Sequence, residues 1–301
     1  PLNPNQILLS VKKILDNRRL ITEKTNQGYQ QDFRNIAMQY NDRIGHEEWA
    51  EILKKITYWE LELDKTNDKS MAEVLEMQKA EANSNFTRFI QDTYEDWMSD
   101  PKSDKPILSH HLMKKKVFPL LKPNEPLFFL LIDNLRYDQW KSMQEIITEF
   151  FTIEQQETYY SILPTATSYA RNAIFSGLTP AEMARQHPDI WVNDEGENEE
   201  SLNNHEAEFL KRQIDKNRLQ TKFSYHKIIS TQQGKSLLDN FSNLLRNDLV
   251  VVVYNFVDML SHARTDMAMI KELAPDEAAY RSISKSWLQH SSLLDFLQKV
   301  A

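Results

Sequence analysis

The sequence predicts two architectures in succession, an all-helical N-terminal bundle and then an α/β sheet domain, and three observations predict them. The first hundred residues are rich in Glu, Lys, Gln, Leu and Met, and the whole chain holds only 5 glycines in 301 residues, against a usual share near ~7%. Residues 99–106, SDPKSDKP, set two prolines among small and charged residues, the composition of a domain boundary. Beyond them, helical segments alternate with the continuous apolar runs FFLLI and LVVVVY. Such runs mark strands covered on both faces, as in a parallel sheet.

The opening places Asn3 as an N-cap with Pro4 at the first helical position, and Ile7, Val11 and Ile14 then fall on one face. One helix should reach about Arg19. A second stripe, Tyr29, Phe33, Ile36 and Tyr40, has helical spacing, and Ile52, Ile56, Trp59 and Leu63 repeat it. A fourth stretch, Met71 to Trp97, is amphipathic through Leu75, Ala82, Phe89 and Ile90. Polar breaks at Asn41 to Gly45 and Thr66 to Lys69 let successive helices pack antiparallel. These stripes read as bundle core and carry no chemistry. In the second half, strands are expected at Leu127 to Ile132, Tyr159 to Leu163, Lys222 to Ile229 and Leu249 to Phe256. Asn193 to Glu208, acidic and nearly without large apolar residues, reads as a solvated surface insertion.

Composition excludes several classes. With no cysteine there is neither a disulfide nor a thiolate metal cluster, which fits a reducing compartment. Any metal must be held by carboxylate, imidazole and hydroxyl groups, a set suited to catalytic zinc, manganese or magnesium. The net charge of −8, from 44 acidic and 36 basic residues, argues against broad attraction to nucleic acid or anionic membrane. The apolar runs are far shorter than the ~20 residues of a membrane helix, and the N-terminus lacks a signal-peptide pattern. The expected location is cytoplasmic, with no membrane insertion.

Three segments place polar groups where apolar strands stop, which is where open α/β sheets gather their chemistry. Asp133 follows Phe128 to Ile132, with Asn134, Arg136 and Asp138 close behind. Alone, it could equally be a cap for the next helix. Asp258 and His262 follow Val250 to Phe256, and their i, i+4 spacing puts both on one helical face. Such a pair is also common on helix surfaces. Between these, Pro164-Thr165-Ala166-Thr167-Ser168-Tyr169-Ala170-Arg171 sets hydroxyl groups ahead of a helix containing Ala173, Ile174 and Phe175. Thr167 there would meet free backbone N–H groups that favour a phosphate, with Arg171 one turn on. The plainer alternative is a threonine N-cap and a solvent-facing arginine. His110 and His111, beside Lys114 to Lys116, read as a solvated amphipathic segment or a basic patch. His46, His187, His205 and His226 lack ligand-like companions in sequence.

The set LLIDNLRYDQ, LPTATSYARNAIFSG and YNFVDMLSHAR resembles the PglZ-type members of the alkaline phosphatase superfamily, and closely those that form the effector half of a Bacteroidetes response regulator. The resemblance implies a metal-dependent phosphodiesterase or phosphatase with two divalent ions, expected to be zinc, across a threonine nucleophile. It assigns Thr167 as nucleophile and metal ligand, Asp133, Asp258 and His262 as metal ligands, and Arg171 as a phosphate contact. Thr167 is preferred to Thr165 because related enzymes use the second threonine of P-T-x-T. Residues 1–20 resemble the last helix of a CheY-like receiver, 21–100 the helical linker, and 101–301 a truncated effector of alkaline-phosphatase-like fold. The later ligands of that family, an Asp-His pair and a final histidine, have no counterpart before Ala301, so the chain is expected to be a fragment.

Implied partners are a sensor histidine kinase acting through the receiver, a sigma factor or secretion-system component, and a phosphodiester or nucleotide-type substrate. Homodimerisation on activation and control of type IX secretion or gliding are further implications. The competing reading is a catalytically inactive module of the same fold that binds a regulatory protein or senses a nucleotide.

Overall fold

The structure is a computed structural model that describes residues 12–13, 27–40, 44–66, 68–100, 102–192 and 203–301. Of the expected receiver-like helix, residues 1–20, only Lys12 and Lys13 lie within the described residues, and both are helical. The chain divides into two compact units between Lys105 and Pro106.

The first unit contains α1 (27–39), α2 (His46–Leu63) and α3 (Lys69–Ser99). Its core joins Tyr29 and Ile36, the α2 stripe of Trp49, Ile52, Ile56, Trp59 and Leu63, and Leu75 and Ala82 from α3. Phe33, Tyr40 and Phe89 pack against them, so the apolar stripes of α1, α2 and α3 meet one another. The Trp59 Nε1–H donates to Asp32 Oδ2 at 3.0 Å, satisfying an indole that burial would otherwise leave unpaired. Asp68 caps α3 by accepting from the Met71 N–H at 3.1 Å.

The second unit is built on β1 (Leu127–Ile132), β2 (Phe223–Ile228) and β3 (Leu249–Tyr254), all parallel in the order β1-β3-β2. The helices are α4 (Tyr137–Thr148), α5 (Thr167–Ser176), α6 (Pro180–Gln186), α7 (Glu206–Lys216), α8 (Thr231–Asp239), α9 (Phe241–Leu244), α10 (Phe256–Asp266), α11 (Ala268–Leu273), α12 (Glu277–Gln289) and α13 (Ser292–Val300). β3 is central because its sequence is apolar on both faces, and Leu249 to Val253 have no exposed surface. Each buried valine contributes about 1.5–3 kcal/mol of transfer free energy. Val250, Val252 and Tyr254 point to one face, where α4, α8, α12 and α13 cover them through Met143, Leu237, Leu288, Leu293 and Phe296. The register aligns Phe129, Val251 and Tyr225 on the other face. There the α5 residue Phe175 sets its ring against Phe129 at 6.4 Å and Tyr225 at 5.4 Å.

Tyr159 to Leu163 is not a strand. Tyr160 makes one parallel bridge to Leu108, and the next donor, the Ile162 N–H, is taken by the Ser109 hydroxyl at 3.1 Å instead of a ladder carbonyl. β3 stops at Tyr254, short of Phe256, because Asn255 already serves as the N-cap of α10. His110 and His111 sit on a half-buried turn, 109–111, rather than in a solvated segment. Among the described residues no helix is long and apolar enough to cross a membrane.

Gly234 marks the closest approach of α8 to α13, since a Cβ built there would lie 1.9 Å from Ser292 Oγ and 2.7 Å from Ser292 Cβ. Gly234→Ala should therefore overpack this contact and destabilise the protein by about 1–3 kcal/mol in urea unfolding. Stability equal to or above the parent would show that these helices separate without penalty.

Candidate active site

The three strands end flush, with Ile132 and Ile228 both aligned to Tyr254. Asp133 and Asn255 consequently emerge side by side, and their backbone N–H groups continue the ladder to Tyr254 O at 2.9 Å and Ile228 O at 3.1 Å. Asn134 then adopts a left-handed conformation, φ 58, which asparagine tolerates better than most residues. The chain turns there into α4, leaving the Asp133 carboxylate at the carboxyl edge of the sheet.

That carboxylate is buried, 9% exposed, and its partner is the guanidinium of Arg171, whose Nη1 donates to Asp133 Oδ2 at 2.6 Å and to Asn255 Oδ1 at 3.2 Å. The other side of Arg171 grips Glu206, with Nε donating to Oε1 and Nη2 to Oε2 at 3.3 Å. Glu206 is the first residue of α7 and is 1% exposed. It also accepts from the Tyr225 hydroxyl and from Asn203 Nδ2, the latter at 3.1 Å. Asn203 Nδ2 reaches the Thr167 carbonyl as well, at 3.3 Å. Every fixed charge here has a partner, as a buried ionic cluster requires.

One cation between two carboxylates leaves the cluster one negative charge in excess. Burial raises the Asp133 pKa first of all; Arg171 pulls it down, and the charges of Asp258 and Glu206 push it up again, so that it ends above its ordinary value. The Tyr159 phenol is likewise raised, by desolvation and by the Asp133 charge.

Thr167 is the first residue of α5. The N-cap position belongs to Ala166, which has no side-chain cap to offer, so the Thr167 hydroxyl is not used as the cap that the plainer reading expects. Among the described residues it makes no hydrogen bond. Arg171, one turn along the same helix, ties this helix start to Asp133. Asp258 lies in the first turn of α10, 22% exposed, and His262 one turn on is 65% exposed with its Nε2 3.7 Å from Asp258 Oδ1.

The expected residues thus separate into two groups. Asp133 ends β1 and is tied through Arg171 to α5, the helix that begins at Thr167, and Asp258 stands in the first turn of α10 after β3, whereas His262 lies at the solvent rim. The expected phosphate contact, Arg171, is 3% exposed and bonded to three side chains. Its position inside the fold turns it toward Asp133 and Glu206 rather than toward solvent. Asn203, Glu206, Tyr225 and Asn255 complete the cluster without having been expected from the sequence. Glu206 falls inside the acidic run read as a solvated insertion, and at that end the reading fails: Asn203 and Glu206 are both buried.

The donors suit a hard divalent ion in kind, being carboxylates, a hydroxyl and an imidazole. Among the described residues no group of three or more His, Asp or Glu side chains is placed to hold an ion, and Arg171 occupies one oxygen of Asp133.

Two family models match the chain. Residues 19–98 match the PorX response regulator linker domain, and residues 112–300 match the BREX system PglZ alkaline phosphatase-like domain. The second match spans well over half of the sequence. No curated protein matches.

Arg171→Leu should strand two buried carboxylates and cost about 3–5 kcal/mol in denaturant unfolding. Adding Glu206→Gln to that variant should recover part of the loss, and additive effects would show that the two side chains are not coupled. Asp133→Asn should behave oppositely. Because the Asp133 pKa is raised in the folded state, its charged form costs stability once pH climbs through that value. Parent and variant should match near pH 4 and the variant should become the more stable as pH rises, which unfolding midpoints across pH 4–8 would measure.

Proposed function

Because the chain belongs to the PglZ alkaline phosphatase-like family, we propose that it is the effector part of a response regulator that hydrolyses phosphodiesters through Thr167. The response regulator linker at residues 19–98 supports the signalling half of this reading. The observation that supports the catalytic half is the Arg171 bond to Asp133 at 2.6 Å, which ties α5, the helix that begins at Thr167, to the end of β1.

Thr167 Oγ1 would attack the phosphorus, expelling the ester oxygen and forming a phosphothreonine that water then cleaves. The Thr167 and Ser168 N–H groups at the start of α5, with no intrahelical partner, favour a phosphoryl group beside that hydroxyl. Arg171 acts as a positioning residue, fixing the Asp133 carboxylate and offsetting its charge. By family expectation Asp133 would hold one divalent ion and Asp258 with His262 a second, both expected to be zinc, on either side of Thr167, and such ions would neutralise charge on the phosphoryl oxygens. Among the described residues no group of three or more His, Asp or Glu side chains is placed to hold either ion. Input from a sensor histidine kinase, dimerisation, a cytoplasmic location and an output in type IX secretion belong to the same proposal and rest on the linker match alone.

One observation favours the competing reading of an inactive module that binds a regulatory protein or senses a nucleotide: Arg171 already neutralises Asp133, where a metal would be needed. Turnover of bis(p-nitrophenyl) phosphate with added zinc or manganese separates the two. Thr167→Ala should lower that rate by about 10³-fold or more while keeping the parent's unfolding midpoint. An unchanged rate removes Thr167 from the mechanism, and a parent protein inert with every metal supports the inactive module.

A further inference from the structure

Beside the strand-end cluster lies a cavity of about 410 Å³ that the catalytic reading does not use. Its wall includes Asn134, the neighbour of Asp133, and Ser261, the neighbour of His262, so it opens next to the proposed reaction centre. Three cations line it, Arg136, Arg264 and Lys271, against one carboxylate, Glu277.

The arginines are held in place. Arg136 Nη1 meets Glu277 Oε2 at 2.5 Å, and its Nε and Nη2 hold Asp138 at 3.0 and 2.7 Å. Arg264 donates from Nη1 to Glu277 Oε1 at 2.9 Å and from Nε to the Ala274 carbonyl at 3.1 Å. Both guanidiniums also lie over the Tyr280 ring, 5.2 and 4.8 Å from its centre. Lys271 on α11 is exposed and makes no ion pair among the described residues. Glu277 therefore sits as a built-in anion between two fixed arginines, with a third cation beside them that it does not reach.

We infer that this cavity binds a second phosphate group of the substrate, adjoining the one that is cleaved. The inference rests on the phosphodiesterase reading for the word substrate, but the anion site stands on its own geometry. Guanidinium forks match phosphate oxygens in a bidentate manner, and among the described residues the Arg264 Nη2 group makes no hydrogen bond, so it and Lys271 are available to an incoming anion. An aromatic ligand is not what the wall recognises. Tyr280 is 3% exposed beneath the two guanidiniums and has no open face for stacking. The ligand class is thus a chain of phosphates or phosphodiesters, selected by charge spacing and not by an attached ring.

Inorganic tripolyphosphate, titrated calorimetrically into the protein with EDTA present, tests the site without metal or turnover. The parent should bind it. Lys271→Glu should weaken binding about tenfold, and Glu277→Gln, which removes the competing carboxylate, should strengthen it several-fold, a gain that misfolding cannot mimic. Lys122→Glu makes the same change in net charge ahead of β1, at the opposite end of that strand, and should leave binding unchanged. Equal affinity in Lys271→Glu and the parent, weakening by Glu277→Gln, or equal losses from Lys122→Glu and Lys271→Glu would overturn the inference. Bis(p-nitrophenyl) phosphate carries no second phosphate, so its turnover should be the same in Lys271→Glu and the parent. A failed anion site with intact turnover leaves the Thr167 reading standing, and binding without turnover leaves the anion site standing.

Discussion

A single guanidinium placed between two buried carboxylates organises the second unit. Arg171 joins Asp133, at the end of β1, to Glu206, at the start of α7, and touches Asn255 at the end of β3. Four segments distant in sequence thereby share one charge. Ion pairs of this kind add little to stability compared with apolar packing, but removing the shared cation is severe. Their effect is to fix geometry. The helix bearing Arg171 cannot shift along the sheet without breaking bonds at both ends of the guanidinium, and Thr167 rides on that helix.

The hydrophobic layers permit this arrangement. β3 is shielded on both faces by helices, so the strand ends form a rigid rim from which loops depart. Water is excluded from the cluster behind the rim, which strengthens each charge interaction and makes the excess negative charge matter. In front of the rim the surroundings change quickly. Asp258 is partly exposed, His262 is open to solvent, and the arginine-lined cavity begins beside Asn134. A buried anionic anchor and a cationic forecourt within a few residues of each other suit a ligand whose charge must be both held and acted upon.

Local pattern made much of this legible. The continuous apolar runs located β1 and β3, and the helical stripes at Tyr29 to Tyr40 and Ile52 to Leu63 became the core of the first unit. Strand-end position singled out Asp133 and Asp258. The rest depended on partners far apart in the chain. Glu206 was hidden because an acidic run looks solvated until an arginine 35 residues earlier is folded onto it. Arg171 was read outward for the same reason, since a helix N-terminus with an arginine one turn on does not disclose which face is covered. Tyr159 to Leu163 has strand composition, yet the Ser109 hydroxyl diverts its hydrogen bonding, a side-chain event that residue propensity does not encode.

The flush register of the three strands has one more consequence. Side chains on a strand alternate between faces, so sliding β1 by one residue against β3 would turn Phe129 and Val251 out of alignment. The same slip would carry Asp133 away from Asn255 and invert its direction, beyond the grasp of Arg171. A molecule that has mispaired its sheet therefore also lacks its polar centre. Folding accuracy and chemical competence are thus inspected at one checkpoint, and a half-correct fold has no partial form of the site to offer.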